Sequence, residues 1–440
     1  MKVTVDFSKY TGNVKPMNAV NNGPAVRYPI AEGSKQVEQF KEMNIPFVRN
    51  HDAAFYAYYG GSHTVDIHNI FPDFDADPYD PASYDFTLTD EYNKVIMMSG
   101  AEVFYRLGSK IEHESKKYGT LVPKDFKKWA VICEHIIMHM NEGWADGYHF
   151  GIRYWEIWNE PDLDTDDAAD KRTWGGTKAE FFDFYTVVAK HLKSKFPSLM
   201  IGGPALVGIT LHEEWARDFF AHLKANDVPL DFFSWHRYTR DVEKFRDDAI
   251  LARRVLNEYG FSETESHCNE WNYMRSGADG AEYAFKHAIP TVKGAAFVSA
   301  IMSIGQREAV DMLMYYDARP CPYCGLFAPY TWEPLPSFYV FKAWGELMKL
   351  SNACEATCDV PNVYAAAASN GEHSDIMLTY YSDDDNALRQ TFTVDIGSDE
   401  PVTLSRLDSN SSLEPCEIVY PCDGKLTVTM AANTVITLKK

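Results

Sequence analysis

The sequence predicts an α/β fold, a (β/α)8 TIM barrel with an accessory C-terminal antiparallel β-sandwich. Short apolar runs alternate with longer amphipathic runs from residue 11 to residue 345, which gives eight strand–helix units. After residue 350 the runs become short, alternate in polarity and are separated by turn signals such as Asn370-Gly371. A doubly wound sheet is the alternative, but no glycine-rich nucleotide fingerprint follows any strand. These observations favour the barrel.

The barrel is predicted to span residues 11–345. Its candidate strands are Gly12–Asn21, Pro46–Asn50, Ala101–Leu107, Arg153–Trp158, Leu199–Pro204, Asp231–His236, Ser266–Trp271 and Asp311–Tyr316. Its candidate helices are Ser34–Met43, Asp90–Met98, Lys124–Asn141, Lys178–Phe196, Leu211–Ala225, Val242–Tyr259 and Ala281–Met302. Apolar residues recur every three or four positions in the helices, and Pro197 and Gly260 directly follow two of them.

The sandwich is predicted to comprise residues 1–10 and 346–440. Its candidate strands are Lys2–Phe7, Val363–Ala368, Asp375–Tyr381, Gln390–Val394, Pro401–Asp408, Glu417–Tyr420, Lys425–Met430 and Thr434–Lys439. The run Asp383-Asp384-Asp385 is expected to be a solvated loop, because the remaining ligand spacing of a calcium site is missing.

Composition limits the classes of partner. The chain has 440 residues and a net charge of -21, which argues against nucleic acid and against an anionic membrane surface. No apolar run is long enough to span a membrane, and the first residues lack the apolar core of a signal peptide. The sequence therefore predicts a cytoplasmic protein and leaves open whether it forms a homo-oligomer.

The eight cysteines are expected to be mainly reduced packing residues. Cys321 and Cys324 form a C-x-x-C, and Cys354 and Cys358 follow about thirty residues later, so four thiolates for a structural zinc ion are conceivable. Nothing else supports such a site, and packing or redox roles are commoner for these pairs. The sequence therefore predicts neither a metal site nor a cofactor.

The stretch Arg153–Pro161 is the first candidate for chemistry. It predicts a buried strand that ends in Asn159-Glu160, with Pro161 preventing the next ladder hydrogen bond and favouring an extended Glu160. Tryptophans surround the carboxyl group in the sequence. Poor solvation there is expected to raise its pKa, so that Glu160 donates a proton near neutral pH.

A second carboxyl group follows in Cys268-Asn269-Glu270-Trp271-Asn272. Counting strands places Glu160 at the end of the fourth and Glu270 at the end of the seventh, across the barrel mouth from each other. Two opposed carboxyl groups in different environments are what cleavage of a glycosidic bond requires. One Asn-Glu pair alone would more often be a surface turn, but two at these positions favour a paired active site.

The sequence resembles the clan A glycoside hydrolases and, within them, family 39, known for β-xylosidases and α-L-iduronidases. The resemblance extends over the whole chain. It rests on four motifs: Trp158-Asn159-Glu160-Pro161, Asn269-Glu270-Trp271-Asn272, Val48-Arg49-Asn50-His51 and Ser234-Trp235-His236-Arg237-Tyr238. The resemblance implies a retaining double displacement, with Glu270 as the nucleophile, Glu160 as the acid and then the base, and Asn159 bound to the sugar 2-hydroxyl.

The same resemblance implies roles for the second and sixth strands. Arg49 and Tyr238 would bond Glu270 and keep it ionised, while His51 and His236 would line the subsite of the cleaved sugar. A structural role in neutralising buried carboxylates remains open for Arg49. His236 and Tyr238 are two positions apart and are expected to face the same side.

Specificity is predicted to depend on the loop after the eighth strand. In the β-xylosidases of the family this loop carries two adjacent glutamates that hold the outer hydroxyls of the sugar. The acidic pair is missing here; Asp317 stands in a similar place, and Arg319 either favours a uronic acid or neutralises Asp317. Trp174 and Trp332 lie in mouth-side loops and are candidates for stacking on sugar faces.

The sequence thus predicts a retaining, exo-acting, β-xylosidase-like glycosidase with a carbohydrate substrate. The long aromatic loops 56–84 and 321–336 are expected to close the mouth into a pocket. Other clan A specificities remain open: α-L-arabinofuranosidase, β-galactosidase or endo-glycanase. A non-catalytic carbohydrate-binding barrel is disfavoured because both carboxyl groups are present.

Overall fold

Eight parallel strands close into a barrel in the computed structural model, which describes residues 1–25, 35–52 and 63–440. The first strand of the chain, β1 (Lys2–Asn13), lies outside the barrel. The barrel strands are β2 (Ala19–Asn21), β3 (Phe47–Arg49), β4 (Glu102–Leu107), β5 (Tyr154–Ile157), β6 (Met200–Leu206), β7 (Phe232–Tyr238), β8 (Glu265–Asn272) and β9 (Met312–Tyr315). β2 pairs with β9 and closes the ring, so the predicted barrel is confirmed.

Ten helices are found in the described part of the chain. They are α1 (Lys35–Glu42), α2 (Ile67–Ile70), α3 (Thr87–Met98), α4 (Phe126–Glu142), α5 (Lys178–Lys195), α6 (Glu213–Ala225), α7 (Val242–Glu258), α8 (Gly280–Tyr283), α9 (Val292–Arg307) and α10 (Pro336–Leu350). Side-chain caps explain several starts: Thr177 and Glu180 form a reciprocal capping box at α5, and Asp241 caps α7. Residue 34, where the first helix was expected to begin, lies outside the described residues.

The boundaries differ from the predictions at two breaks. The helix expected over Ala281–Met302 is interrupted before α9, because Pro290 cannot donate a helical hydrogen bond and Thr291 caps a new helix. The strand expected over Gly12–Asn21 is likewise divided around Pro16: its first residues extend β1, and its last three form β2.

Within the described residues, no single helix has the length and apolar character needed to cross a bilayer; one pair, Gly280–Ala288 with Val292–Arg307, meets both criteria jointly but bends by 98°.

A nine-stranded sheet forms the second unit. Its C-terminal strands are β10 (Asn352–Cys358), β11 (Val363–Ser369), β12 (Ser374–Tyr380), β13 (Gln390–Asp395), β14 (Val402–Asp408), β15 (Ser411–Val419), β16 (Lys425–Met430) and β17 (Thr434–Lys439). The order is β15-β14-β17-β12-β11-β10-β1-β13-β16, antiparallel except where β1 meets β13. One buried cluster contains Val394 and Val428 from one end together with Leu404 and Leu438 from the other, so the sheet folds over as the predicted sandwich.

Strand β11 shows how the two units pack together. Every residue from Val363 to Ser369 is buried. Ala365 and Ala367 belong to the sandwich core, whereas Tyr364, Ala366 and Ala368 belong to the core that continues into the barrel. Alternate residues of a strand point to opposite faces, so this strand is covered on both sides.

The Asp383 loop anchors the sandwich to the barrel through Asp383, whereas Asp384 and Asp385 are exposed, as expected of a solvated loop. Asp383 accepts hydrogen bonds from Tyr273 over 2.5 Å and Arg275 over 3.0 Å, and it lies 3.3 Å from Arg240. Lys293 forms an ion pair with Asp385. The cations Arg240, Arg275 and Lys293 all belong to the barrel. Their positive charges explain why an acidic run lies at this position.

The cysteines do not assemble into a four-thiolate site. All eight are free, and Cys354 and Cys358 lie on β10, paired with β1, whereas Cys321 and Cys324 are buried in the loop after β9. Burial raises the pKa of the Cys324 thiol to about 12, so it is protonated at neutral pH.

Candidate active site

An irregular turn after β5 directs Asn159 and Glu160 into the barrel mouth. Trp158 and Glu160 both have left-handed backbone torsions, with φ of 77° and 48°. The prediction of an extended Glu160 before Pro161 is therefore wrong. Tertiary hydrogen bonds hold the turn instead: the Glu160 amide donates to Ala205 O over 2.9 Å, and Thr173 Oγ1 donates to Glu160 O over 2.6 Å. Backbone strain held in this way is common at functional sites.

A bulge in β8 directs Glu270 into the same mouth. The register between β7 and β8 pairs Trp235 with Cys268 but His236 with Glu270, so one extra residue, Asn269, is accommodated. Asn269 and Glu270 therefore both face inward although they are consecutive. Asn269 Nδ2 donates to Glu156, and Glu270 carboxylate oxygens meet side chains from β3 and β7.

His236 lies between the two carboxyl groups. Its Nδ1 is 2.7 Å from Glu160 Oε1 and 3.6 Å from Glu270 Oε2. Each of these three residues offers one atom that could ligate a metal ion, and the three atoms lie within 4.8 Å of one another. No other such cluster of three or more His, Cys, Asp or Glu residues occurs in residues 1–25, 35–52 and 63–440. These atoms have the chemistry to ligate a cation, and the imidazole of His236 also bridges the two carboxyl groups.

Burial sets the protonation of the pair. Loss of hydration, reinforced by the charge of Asp162, raises the pKa of Glu160 to about 8, in the direction predicted from the sequence. Burial also raises the pKa of Glu270, to about 7, while His236, Arg49 and the Tyr238 hydroxyl oppose this rise. Burial thus favours the presence of a proton on this pair of carboxyl groups near neutral pH.

Arg49 connects Glu270 to the barrel interior. It is fully buried and its Nε donates to Glu156 Oε2 over 2.7 Å, while Nη1 lies 3.3 Å from Glu270 Oε2. Nη2 donates to Asn159 Oδ1 over 2.7 Å. The structural and catalytic roles considered for Arg49 thus coincide: the same guanidinium neutralises Glu156 and approaches Glu270.

Asn159 and Tyr238 complete the immediate surroundings of the pair. The Tyr238 hydroxyl donates to Glu270 Oε1 over 2.5 Å, and His236 and Tyr238 do face the same side of β7. The Nδ2 group of Asn159 is buried and has no hydrogen-bond partner in the described part of the chain. Because Arg49 occupies its oxygen, Asn159 has a donor available for a ligand.

A cleft of about 640 Å³ opens above the two carboxyl groups. The loops after β3, β4 and β9 form its walls. It is lined by His51, Asp52, His63, Lys110, Ile111, His113, Glu114, Glu160, Tyr238, Glu270, Tyr316 and Tyr323. Part of the predicted 56–84 loop, residues 56–62, lies outside the described residues.

Asp317 does not face the cleft, contrary to the expectation that it contacts the sugar. It is fully buried, and Arg319 Nη2 lies 2.5 Å from its Oδ2. Asn22 Nδ2 also donates to Asp317 Oδ2 over 3.1 Å. Of the two roles considered for Arg319, the structure therefore shows the neutralisation of Asp317.

Neither predicted stacking tryptophan lines the cleft. Trp174 is 3% exposed, packs 5.1 Å from Trp158 and donates through Nε1 to Thr177 O, so it is a core residue. Trp332 is half-buried in the loop after β9 and is not among the residues that line the described cleft. The aromatic residues at the cleft are tyrosines: Tyr238, Tyr316 and Tyr323.

Sequence analysis missed Asp52, His63, Tyr316 and Tyr323 as cleft residues. Asp52 directly follows His51 just after a predicted barrel strand, so its place at the barrel mouth could have been predicted from the sequence. Asn272 Nδ2 donates to the carbonyl oxygens of Tyr316 and Tyr323 over 2.6 and 2.8 Å, which fixes both tyrosines beside β8. No local sequence pattern predicts these two hydrogen bonds, because they join residues more than forty positions apart.

Comparisons with known proteins indicate the family to which the chain belongs. The model of the glycosyl hydrolases family 39 matches residues 46–302, more than half of the chain. A beta-xylosidase of Geobacillus stearothermophilus is 28% identical over 218 residues, 44% of this chain and 39% of that protein. A beta-xylosidase of Caldicellulosiruptor saccharolyticus is 25% identical over 253 residues, 55% of this chain and 47% of that protein. The chain thus spans less than half the length of these curated relatives.

The fold also matches solved structures. A glucosidase from Croceicoccus marinus superimposes with a TM-score of 0.79 at 22% identity, covering 100% of this chain and 98% of that one. At this identity the likeness concerns the fold, and it includes both the barrel and the sandwich.

Proposed function

This chain belongs to glycosyl hydrolases family 39, in clan A, and from that premise we propose that it is a retaining, exo-acting glycoside hydrolase with β-xylosidase-like specificity. The observation that carries the proposal is the proximity of Glu160 and Glu270. Their facing oxygen atoms lie within 4.8 Å of each other. Retaining enzymes hold their carboxyl groups about 5–5.5 Å apart, whereas inverting enzymes need about 6.5–9.5 Å to admit a water molecule.

The first step transfers the sugar to Glu270. Its carboxylate attacks the anomeric carbon while Glu160 donates its proton to the departing glycosidic oxygen, so a glycosyl–enzyme ester forms and the aglycone leaves neutral. The raised pKa of Glu160 supports its role as the acid. Asn159 has a free donor for the 2-hydroxyl, where hydrogen bonds strengthen in the transition state.

The second step returns the enzyme to its starting state. Glu160, now ionised, removes a proton from water as the water attacks the anomeric carbon, and Glu270 leaves as a carboxylate. Arg49 at 3.3 Å and the Tyr238 hydroxyl at 2.5 Å stabilise that carboxylate in both steps. Two displacements at the same carbon return the original anomeric configuration.

Exo action and the sugar are supported more indirectly. The cleft walls come from three loops, which favours a pocket over an open groove. The two beta-xylosidases among the relatives make a β-xyloside the first substrate to test.

The test is turnover of nitrophenyl β-D-xyloside, β-D-galactoside, β-D-glucoside and α-L-arabinosides by the wild type, Glu160→Ala and Glu270→Ala. We expect the wild type to hydrolyse at least one of them, Glu270→Ala to be inactive, and azide to rescue Glu160→Ala on activated leaving groups. Xylo-oligosaccharides should release xylose from the first turnover. Glu372→Gln, an exposed change in a sandwich turn, is the matched control. If the wild type is no faster than the two alanine variants on every glycoside, the proposal fails.

A further inference from the structure

Asp52 presents a carboxylate oxygen to the cleft. It follows β3 directly, is 5% exposed and lines the cavity above Glu160 and Glu270. The Tyr316 hydroxyl donates to Asp52 Oδ2 over 2.6 Å. Among the described residues, the polar neighbours of Asp52 Oδ1 are two ring nitrogens at longer distances, His63 Nδ1 at 3.3 Å and His51 Nε2 at 3.8 Å. This oxygen therefore has acceptor capacity for a ligand.

The position of Asp52 is fixed from behind by residues of two other loops. Its amide donates to Asn22 Oδ1 over 2.8 Å, and Arg319 Nη1 donates to its carbonyl oxygen over 2.9 Å. The same Asn22 and Arg319 both bond Asp317. Asp317, which was expected to contact the sugar, and Arg319, which neutralises it, instead support Asp52. Such preorganisation is typical of a recognition group.

His51 and His63 add a hydrogen-bond donor and a hydrogen-bond acceptor near Asp52 Oδ1. Arg106 Nε donates to His51 Nδ1 over 3.1 Å, which places the proton of a neutral His51 on Nε2, facing Asp52. Burial holds the pKa of His51 well below its usual value, so this imidazole is neutral. His63 Nε2 is buried with no hydrogen-bond partner among the described residues. A sugar hydroxyl both donates and accepts, which matches such a mixed surface.

The charge of this surface is negative. Asp317 and Arg319 neutralise each other at 2.5 Å, and Arg319 Nη2 lies 3.6 Å from Asp52 Oδ2. Burial opposes the ionisation of Asp52, but the hydrogen bond from His63 and the charge of Arg319 hold its pKa well below the usual range. Lys110 also lines this cleft, but its Nζ lies 3.2 Å from Glu114, another lining residue. With Glu270 in the same cleft, a ligand carboxylate would therefore meet like charges and no unpaired Lys or Arg among the described cleft residues.

We propose that Asp52, with His51 and His63, recognises the ring hydroxyls of the cleaved sugar remote from its anomeric carbon, and that this sugar is neutral and not a uronic acid. The inference rests on the proposed function, since it assigns the substrate class of that site. Asp52 is a specificity-determining residue: its Oδ1 accepts from a hydroxyl at C3 or C4, while Asn159 faces the 2-hydroxyl on the side of Glu270.

Deoxy substrates test the contact. kcat/KM is measured for nitrophenyl β-D-xyloside and its 3-deoxy and 4-deoxy analogues with the wild type and Asp52→Asn. Loss of the recognised hydroxyl should lower kcat/KM about 10-fold or more in the wild type. The same loss should lower it less than about 3-fold in Asp52→Asn, because the variant has already exchanged the charged acceptor for a neutral amide. If the role of Asp52 is purely structural, Asp52→Asn should lower kcat/KM by the same factor for all three substrates. Asp247→Asn, an exposed change on α7, is the matched control.

Charge selection is tested on the wild type alone, which needs no variant to fold. Nitrophenyl β-D-glucuronide and β-D-glucoside differ only in a carboxylate at C6. The glucuronide should be hydrolysed at least about 10-fold more slowly or not at all. Glucuronide turnover at or above that of the glucoside would overturn the inference, as would equal deoxy penalties in the wild type and Asp52→Asn.

Binding separates this inference from the proposed function. The affinity for free D-xylose is measured by calorimetry for the wild type and Asp52→Asn. If no glycoside is hydrolysed but Asp52→Asn weakens xylose binding by about 10-fold, the proposed function fails and the Asp52 surface stands. If xylosides are hydrolysed through Glu270 while Asp52→Asn changes neither xylose binding nor the deoxy penalties, the proposed function stands and the Asp52 assignment is wrong.

Discussion

The hydroxyl group of Tyr238 donates to Glu270 Oε1 over 2.5 Å, from a strand adjacent to that of the carboxylate. A hydrogen bond to the charged form favours ionisation, so this contact lowers the pKa of Glu270 against the effect of burial. The ionisation of Glu270, the proposed nucleophile, therefore depends on a group supplied by β7.

Tyr238→Phe should raise the pKa of Glu270 and move the acidic limb of the pH–rate profile upward. Hydrogen bonds to charged groups contribute about 1.5–3 kcal/mol, so kcat/KM near neutral pH should fall by about 10-fold or more. The measurement is kcat/KM for nitrophenyl β-D-xyloside against pH. Tyr380→Phe, which removes a hydroxyl bond to Leu388 O in the sandwich, should leave the profile unchanged. An acidic limb that does not move in Tyr238→Phe contradicts the assignment.

The pH–rate profile of the wild type should be a narrow bell. Activity requires ionised Glu270, whose pKa is raised to about 7, and protonated Glu160, whose pKa is raised to about 8. Activity is lost on the acid side as Glu270 gains its proton and on the alkaline side as Glu160 loses its own. The two apparent values belong to the pair, since the groups interact.

Glu160→Gln separates the two limbs of that bell. With a dinitrophenyl glycoside, whose departure needs no acid, the first displacement should keep its acidic limb and lose its alkaline limb. The rate of dinitrophenolate release in the first turnover is the measurement. An alkaline limb that persists in this variant would show that another group is the acid.

Arg49→Met should destabilise the barrel strongly. Arg49 is fully buried against Glu156 at 2.7 Å, and its removal leaves that carboxylate unpaired. Breaking a buried ion pair costs about 3–5 kcal/mol. The free energy of unfolding from urea denaturation measures the loss. Arg153→Met removes an exposed pair with Glu102 at 2.8 Å and should cost less than about 1 kcal/mol; equal losses would contradict the role given to Arg49.

Asp383→Asn should loosen the attachment of the sandwich to the barrel. The carboxylate accepts from Tyr273 and Arg275 and lies near Arg240, so the amide loses charge-assisted bonds worth about 1.5–3 kcal/mol each. We expect a lower thermal midpoint and earlier proteolysis at the junction of the two units. Asp384→Asn alters the exposed neighbour and is the control. Equal midpoints for the two variants would mean that the Asp383 contacts do not hold the units together.

Much of the fold was predictable because its signals are local. The eight barrel strands follow from short apolar runs, and the sandwich from alternating polarity. Two helices and one strand of the described residues were missed. The helix α2 has only four residues. The strand β10 is partly exposed and pairs with the distant β1, and α10 begins at Pro336, which resembles a breaker but is favoured at a helix start. Pro290 indicated the break before α9, but the helical periodicity of the apolar residues around it favoured one continuous helix.

In the candidate site, too, the residues with local sequence signals were predictable and those placed by tertiary contacts were not. Glu160 and Glu270 were found because each ends a strand in an Asn-Glu pair, and the order of the strands places them at one mouth. The left-handed turn at Glu160 and the bulge at Asn269 are imposed by tertiary hydrogen bonds, which leave no mark in a short stretch of sequence. Asp52 was missed, and Asp317 misjudged, because Asn22 and Arg319 join them across the barrel mouth.

The configuration of the first-formed sugar tests the account most directly. Proton NMR spectra recorded during hydrolysis of an aryl β-xyloside by the wild type show which anomer appears before mutarotation. The close approach of Glu160 and Glu270 predicts β-xylose first, the retained product of two displacements at one carbon. The appearance of α-xylose first would mean a single displacement by water, and Glu270 would not be the nucleophile.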